Sequence, residues 1–178
     1  QGVSSAASDV YKRQDYIEKF EKMRVAGNLA ARTLDMLTEN IKEGVSTDYI
    51  DKLGYEFIRD NGGHSAPLYY RGFTKSLCTS LNHVVCHGIP SDRILRDGDA
   101  VNVDVTAIVD EHYGDTSRMF CIGKTPIKLK NLIDATYKSM MRAIRILKPG
   151  TKRRFSSLPL IKTKLLSSKP PSVEKYES

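Results

Sequence analysis

In the stretch Val101-Asn102-Val103-Asp104-Val105-Thr106, an aspartate stands between valines, although Asp is depleted in strands. Side chains alternate along a strand, so Asp104 shares a face with Asn102 and Thr106, while Val101, Val103 and Val105 occupy the other. A two-residue turn at Asp110-Glu111 would make a hairpin that sets Asp104 opposite Ser117 and diagonal to Asp115 on the same face. Diagonal neighbours lie roughly 7–8 Å apart, and a bulge brings them closer. Two such carboxylates repel, and one resists ionisation unless a cation sits between them. A divalent metal resolves that conflict. The alternative is that both are loop carboxylates, Asp115 capping a turn before Thr116-Ser117. His87, placed on a turn by Gly88 and Pro90 at the end of a short apolar run, is positioned to reach a cleft, although a lone histidine there is more often structural.

The elements around these residues follow from apolar spacing. Ile17, Phe20, Met23, Ala26 or Gly27, Ala30 or Ala31, Leu34 and Leu37 recur every three to four residues and predict an amphipathic helix over 15–40. Ser46 can cap a second helix with Asp48 in its first turn, a stripe of Ile50, Leu53, Phe57 and Ile58, and a stop at Asn61-Gly62-Gly63. Residues 77–81, 84–86, 100–109 and 119–122 are short β-prone runs between Gly, Pro and Asp clusters. Helical spacing returns over 128–147 and ends at Lys148-Pro149-Gly150. The expected class is α+β, in the order two helices, a β-meander and a helix.

A chain of 178 residues can bury a sizeable core. Its 40% apolar and 28% charged residues are those of a soluble protein, and no run nears the roughly 18 apolar residues that span a bilayer. Of the formal charge of +7, residues 151–178 carry most, with seven Lys or Arg against Glu174 and Glu177. Charge gathered in one Pro/Ser-rich tail argues against a nucleic-acid groove. The three cysteines, Cys78, Cys86 and Cys121, form no CxxC pair, which suggests neither a disulfide framework nor a zinc knuckle and fits a reducing cytoplasm. Residues 1–14 lack a hydrophobic signal core and read as a non-native leader. Residues 151–178 read as a frameshifted or disordered tail.

The segments SLNHVVCHGIP, DGDAVNVDVT and GDTSRMF resemble, in order and spacing, the first half of the active site of type I methionine aminopeptidases. The resemblance covers about residues 15–150. It implies the pita-bread fold, two pseudo-symmetric halves of helices packed on a curved antiparallel sheet, of which this chain would be the first, truncated. It implies two divalent metal ions (Co, Mn, Fe or Zn), with Asp104 a bidentate ligand of one and Asp115 bridging both. His87 would hydrogen-bond substrate near the scissile amide as the catalytic histidine. Tyr70, Phe73 and Cys78 would line the methionine side-chain pocket, and Thr106 would orient a water at the metals. The reaction implied is metal-assisted hydrolysis that removes the initiator methionine. The partners implied are the amino-terminal Met of nascent polypeptides and the ribosome, with the parent enzyme a monomer.

The family also needs a Gly-His-Gly-type histidine, two Glu ligands and a second substrate-contacting histidine, all in the second half. His64, His83, His87 and His112 all precede residue 113. The expectation is therefore a metalloaminopeptidase lineage in a chain that is itself inactive and poorly folded, with apolar surface of 100–109 and 119–122 left uncovered. The competing readings are a non-catalytic pita-bread binding module or fragment and a proline-specific dinuclear aminopeptidase.

Overall fold

In the computed structural model the described residues are 5–148, with side chains from residue 14. The tail 151–178, the Pro149-Gly150 part of the stop signal and the first four residues of the leader lie outside them. The chain divides into two compact units, one ending at Pro126 and the other beginning at Ile127.

The first helix, α1 (Ser5–Thr38), starts ten residues before the expected boundary. No Gly or Pro occurs between Ser5 and Val25, so nothing local stops helix propagation through that stretch. Among the helix residues with described side chains, those buried lie in its later part: Ala26, Leu29, Ala30, Thr33, Leu34 and Leu37. The predicted stripe residues Ile17, Phe20 and Met23 are instead exposed. Val109, the last residue before the hairpin turn, lines the same hollow as Val25 and Leu29.

Helix α2 (Thr47–Asp60) begins as its sequence requires: Ser46 caps it, its Oγ accepting from the Tyr49 N–H at 3.1 Å, and Asp48 lies in the first turn. Ile50 and Ile58 are fully buried, with Leu53 and Phe57 packed on the same core. Asn61 forms the C-cap and Gly62 follows with a φ of +77°.

Four strands follow: β1 (His64–Ser65), β2 (Cys78–Leu81), β3 (Ala100–Val109) and β4 (His112–Cys121). All pairings are antiparallel. β4 runs along the whole of β3, and β1 and β2 pair with successive stretches of β3. The apolar face of β3, Val101, Val103, Val105 and Ala107, is fully buried in one core with Leu29, Leu34, Leu37, Ile50 and Leu77. The expectation that this strand would lack cover is therefore corrected: α1 and α2 supply it. The other face carries Asn102, Asp104 and Thr106, each half-buried.

Residues 84–86 are not a strand. Asn82 and His87 have φ of +49° and +54°, the Val84 N–H donates to the Leu81 carbonyl at 2.8 Å, and Val85 is 92% exposed. The chain has to reverse there so that Gly88 can return to β2, and a turn beginning straight after Leu81 leaves no room for strand pairing.

In the second unit, α3 (Ile127–Ile146) matches the predicted helix, and none of its residues is buried. Leu132, Tyr137, Met140 and Ile144 form an exposed apolar stripe along it.

Gly27 lies inside α1, where a Cβ would meet nothing within 4 Å. Glycine is a poor helix former, so Gly27→Ala should raise stability by about 0.5–1 kcal/mol. Thermal unfolding followed by circular dichroism checks this, and a lowered midpoint would show that the position needs glycine.

Candidate metal and substrate site

The β3–β4 hairpin has the register that the alternation demands. Asp104 pairs with Ser117 and Thr106 with Asp115. Asp110 and Glu111, with φ of +45° and +65°, form the two-residue turn, whose left-handed residues match the twist of the flanking strands. Asp104 is also paired with Cys78 on its other side. One sheet face thus brings together Cys78, Asp104, Thr106, Asp115 and Ser117.

Asp104 and Asp115 lie within hydrogen-bonding reach of each other on this face. Burial, first, and then the Asp115 charge and hydrogen bonding with Asp115 hold the Asp104 carboxyl above the usual carboxylate range, while His87 nearby opposes the shift. Among the described residues no Lys or Arg forms an ion pair with either carboxylate. The Cys78 thiol is pushed up to about 11 by burial and by the neighbouring carboxylates. It is therefore a neutral, weakly polar wall rather than a nucleophile.

A cleft of about 660 Å³ opens on this face. All seven residues picked from the sequence line it: Asp104, Asp115, His87, Tyr70, Phe73, Cys78 and Thr106. Pro67, Arg71, Ile89 and Tyr113 line it as well and were missed. Tyr113 was within reach, since it stands two residues before Asp115 on the same strand face.

Three local devices position these side chains. Asp51 on α2 accepts with one carboxylate oxygen from the Ser76 N–H (2.8 Å), the Leu77 N–H (3.0 Å) and the Ser76 hydroxyl (2.6 Å), which anchors the start of β2 just before Cys78. Tyr70 and Phe73 stand on a tight turn in which Tyr69, Arg71 and Gly72 all have positive φ. The Tyr69 N–H donates to the Phe73 carbonyl at 2.7 Å and the Phe73 N–H to the Tyr70 carbonyl at 2.9 Å. Left-handed backbone at Tyr69 and Arg71 costs about 1–3 kcal/mol each and is held by this surrounding structure.

The third device is Gly88, which seats His87. The Thr79 N–H donates to the Gly88 carbonyl at 2.8 Å, and the Gly88 N–H donates to Ser80 Oγ at 3.0 Å. A Cβ on Gly88 would run into the Thr79 carbonyl and the Ser80 backbone. Gly88→Ala should therefore lift the His87 loop off β2 while the core survives. The expected result is a native-like far-ultraviolet spectrum with faster amide exchange at Thr79; unchanged exchange would mean that the contact does not hold the loop.

Carboxylate oxygens suit divalent cations, and two of them in contact without a cationic partner fit part of such a site. Among the described residues no group of three or more His, Cys, Asp and Glu side chains is arranged to hold a metal ion.

Fold and site together define a class. Residues 21–158 match the metallopeptidase family M24, and the chain belongs to that family, whose name implies a divalent metal cofactor. It is 50% identical over 143 residues to a methionine aminopeptidase of Rickettsia prowazekii, covering 80% of this chain and 54% of that protein. It is 48% identical over 139 residues to a methionine aminopeptidase of Escherichia coli, covering 77% and 53%. The chain spans about half the length of the curated relatives it matches. The crystal structure of the Rickettsia prowazekii methionine aminopeptidase superposes with a TM-score of 0.78 at 47% identity, covering 83% of this chain and 60% of that chain. A Xaa-Pro dipeptidase from Bacillus anthracis, at 19% identity and a TM-score of 0.71, covers 83% and 41% and shares the fold alone. The architecture is accordingly that of the pita-bread metallopeptidases, helices on an antiparallel sheet.

Proposed function

We propose that this chain carries the substrate pocket and part of the metal-ligand set of an aminopeptidase that removes the initiator methionine from new polypeptides. The observation that carries the reading is the convergence of the Asp104–Asp115 pair, His87 and the Tyr70, Phe73, Cys78 wall on one cleft. Asp104 and Asp115 would hold divalent cations, two of them in the full site, drawn from Co, Mn, Fe and Zn. When bound, such cations polarise an amide carbonyl and acidify water.

The chain's own residues then have separate tasks. Two aromatic rings and a neutral thiol accept an unbranched thioether side chain. His87, on its pinned turn, hydrogen-bonds the substrate beside the scissile amide, and Thr106, opposite Asp115, orients the attacking water. The reading places the protein in the cytoplasm as a monomer, with nascent chains at the ribosome as partners. Among the described residues no helix is long and apolar enough to cross a membrane. Two carboxylates are too few ligands for tight binding, so the 178-residue chain alone should release no methionine.

The test is a chimera that joins residues 15–148 to the remaining part of the Rickettsia prowazekii enzyme, assayed with Mn on Met-Ala and Leu-Ala peptides. Selective release of methionine is expected. Equal turnover of both peptides would overturn the reading, as would metal-dependent release by the 178-residue chain alone overturn its predicted inactivity.

A further inference from the structure

Arg71 lines the cleft, yet nothing in the proposed hydrolysis uses it. Its guanidinium lies over the Tyr70 ring, 5.4 Å from the centroid, and among the described residues it forms no ion pair. The residue is exposed, and it occupies left-handed backbone with a φ of +48°, a conformation disfavoured for arginine. The charges that act on Asp104 are those of Asp115 and His87, not that of Arg71. A cation therefore stands at the rim, stacked on a pocket residue, with no carboxylate among the described residues paired to it.

We infer that Arg71 is a specificity-determining residue that favours peptides with acidic side chains shortly after the amino-terminal methionine. The inference rests on the proposed function for which end of the peptide enters the cleft. With methionine against Tyr70 and Phe73, the following residues leave across the open rim, where a guanidinium fork suits a carboxylate. Stacking on Tyr70 limits the freedom that Arg71 would lose on pairing, which favours the contact. Exposed pairs of this kind contribute modestly, so the expected preference is about two- to fivefold at low salt.

The experiment uses the 178-residue chain and four fluorescently labelled peptides: Met-Ala-Glu-Glu, Met-Ala-Lys-Lys, Ala-Ala-Glu-Glu and Ala-Ala-Lys-Lys. Binding is followed by anisotropy in 20 mM and 500 mM NaCl. The Glu peptides should bind about two- to fivefold more tightly than their Lys counterparts at low salt, with the gap closing at high salt. Arg71→Asn, which tolerates left-handed backbone, should abolish the gap, and Arg71→Lys should keep part of it. Equal binding of Glu and Lys peptides, a gap that survives in Arg71→Asn, or no binding of any peptide would overturn the inference. The methionine reading fails separately, if Met and Ala at the first position bind alike while the acidic preference persists.

Discussion

Asp104→Asn and Asp115→Asn are expected to stabilise the metal-free chain at neutral pH and, in the same step, to remove its response to divalent cations. Burial and the Asp115 charge raise the Asp104 carboxyl above its unfolded value. A raised carboxyl contributes stability that is fully present below the unfolded pKa and lost as pH rises through the folded one. At neutral pH the pair therefore opposes folding. An amide at either position offers a donor to the remaining carboxylate and deletes the repulsion, so the variants should lead the parent chain in midpoint at pH 7 and converge with it in acid. Added Mn should raise the parent midpoint and leave the variants unmoved.

In the chimera each substitution should lower methionine release by at least about 1000-fold, the scale of losing cation-assisted charge stabilisation. Elemental analysis separates the two aspartates: Asp115→Asn should lose metal at both positions, and His87→Ala should keep it. Full occupancy in Asp115→Asn would contradict the bridging role, and lower stability of both variants at pH 7 would contradict the electrostatic account.

The second large effect falls on the fold. Gly114 is the buried residue of β4, and a Cβ there would run into the backbone of Ala26 and Gly27 in α1. Backbone on the far side cannot rotate away as a flexible side chain could, so Gly114→Val must push α1 off the sheet. That contact anchors the helix that covers Val103 and Val105, and Arg118 continues it through Asp35 at 2.8 Å and the Thr38 hydroxyl at 2.9 Å. The cost should reach about 3 kcal/mol or more, a large share of the 5–15 kcal/mol that holds an ordinary domain. Urea unfolding of the variant should show a midpoint far below that of the parent or no cooperative transition. A midpoint within error of the parent would mean that helix and sheet approach less closely than described.

By itself the sequence determined whatever depends on near neighbours along the chain. Alternation divided β3 into an apolar and a chemical face, the Asp110-Glu111 turn set the hairpin register, and Ser46 marked the start of α2. The first two together were enough to bring Asp104 beside Asp115, because pairing across a two-residue turn is a local consequence of backbone twist. Tertiary structure decided the rest. Residues 84–86 have the composition of a strand but serve as a turn, because Gly88 must lie against β2. The polar start of β4, His112 to Ser117, has little strand propensity and pairs because β3 presents a partner along its whole length. Ile17, Phe20 and Met23 carry a helical stripe yet stay exposed, so their spacing could not foretell their exposure. The opposite held for Val101, Val103 and Val105, expected to lie open and found covered by α1 and α2. Burial depends on what stands across the gap, and segments far apart in the chain supply it only once the chain has folded.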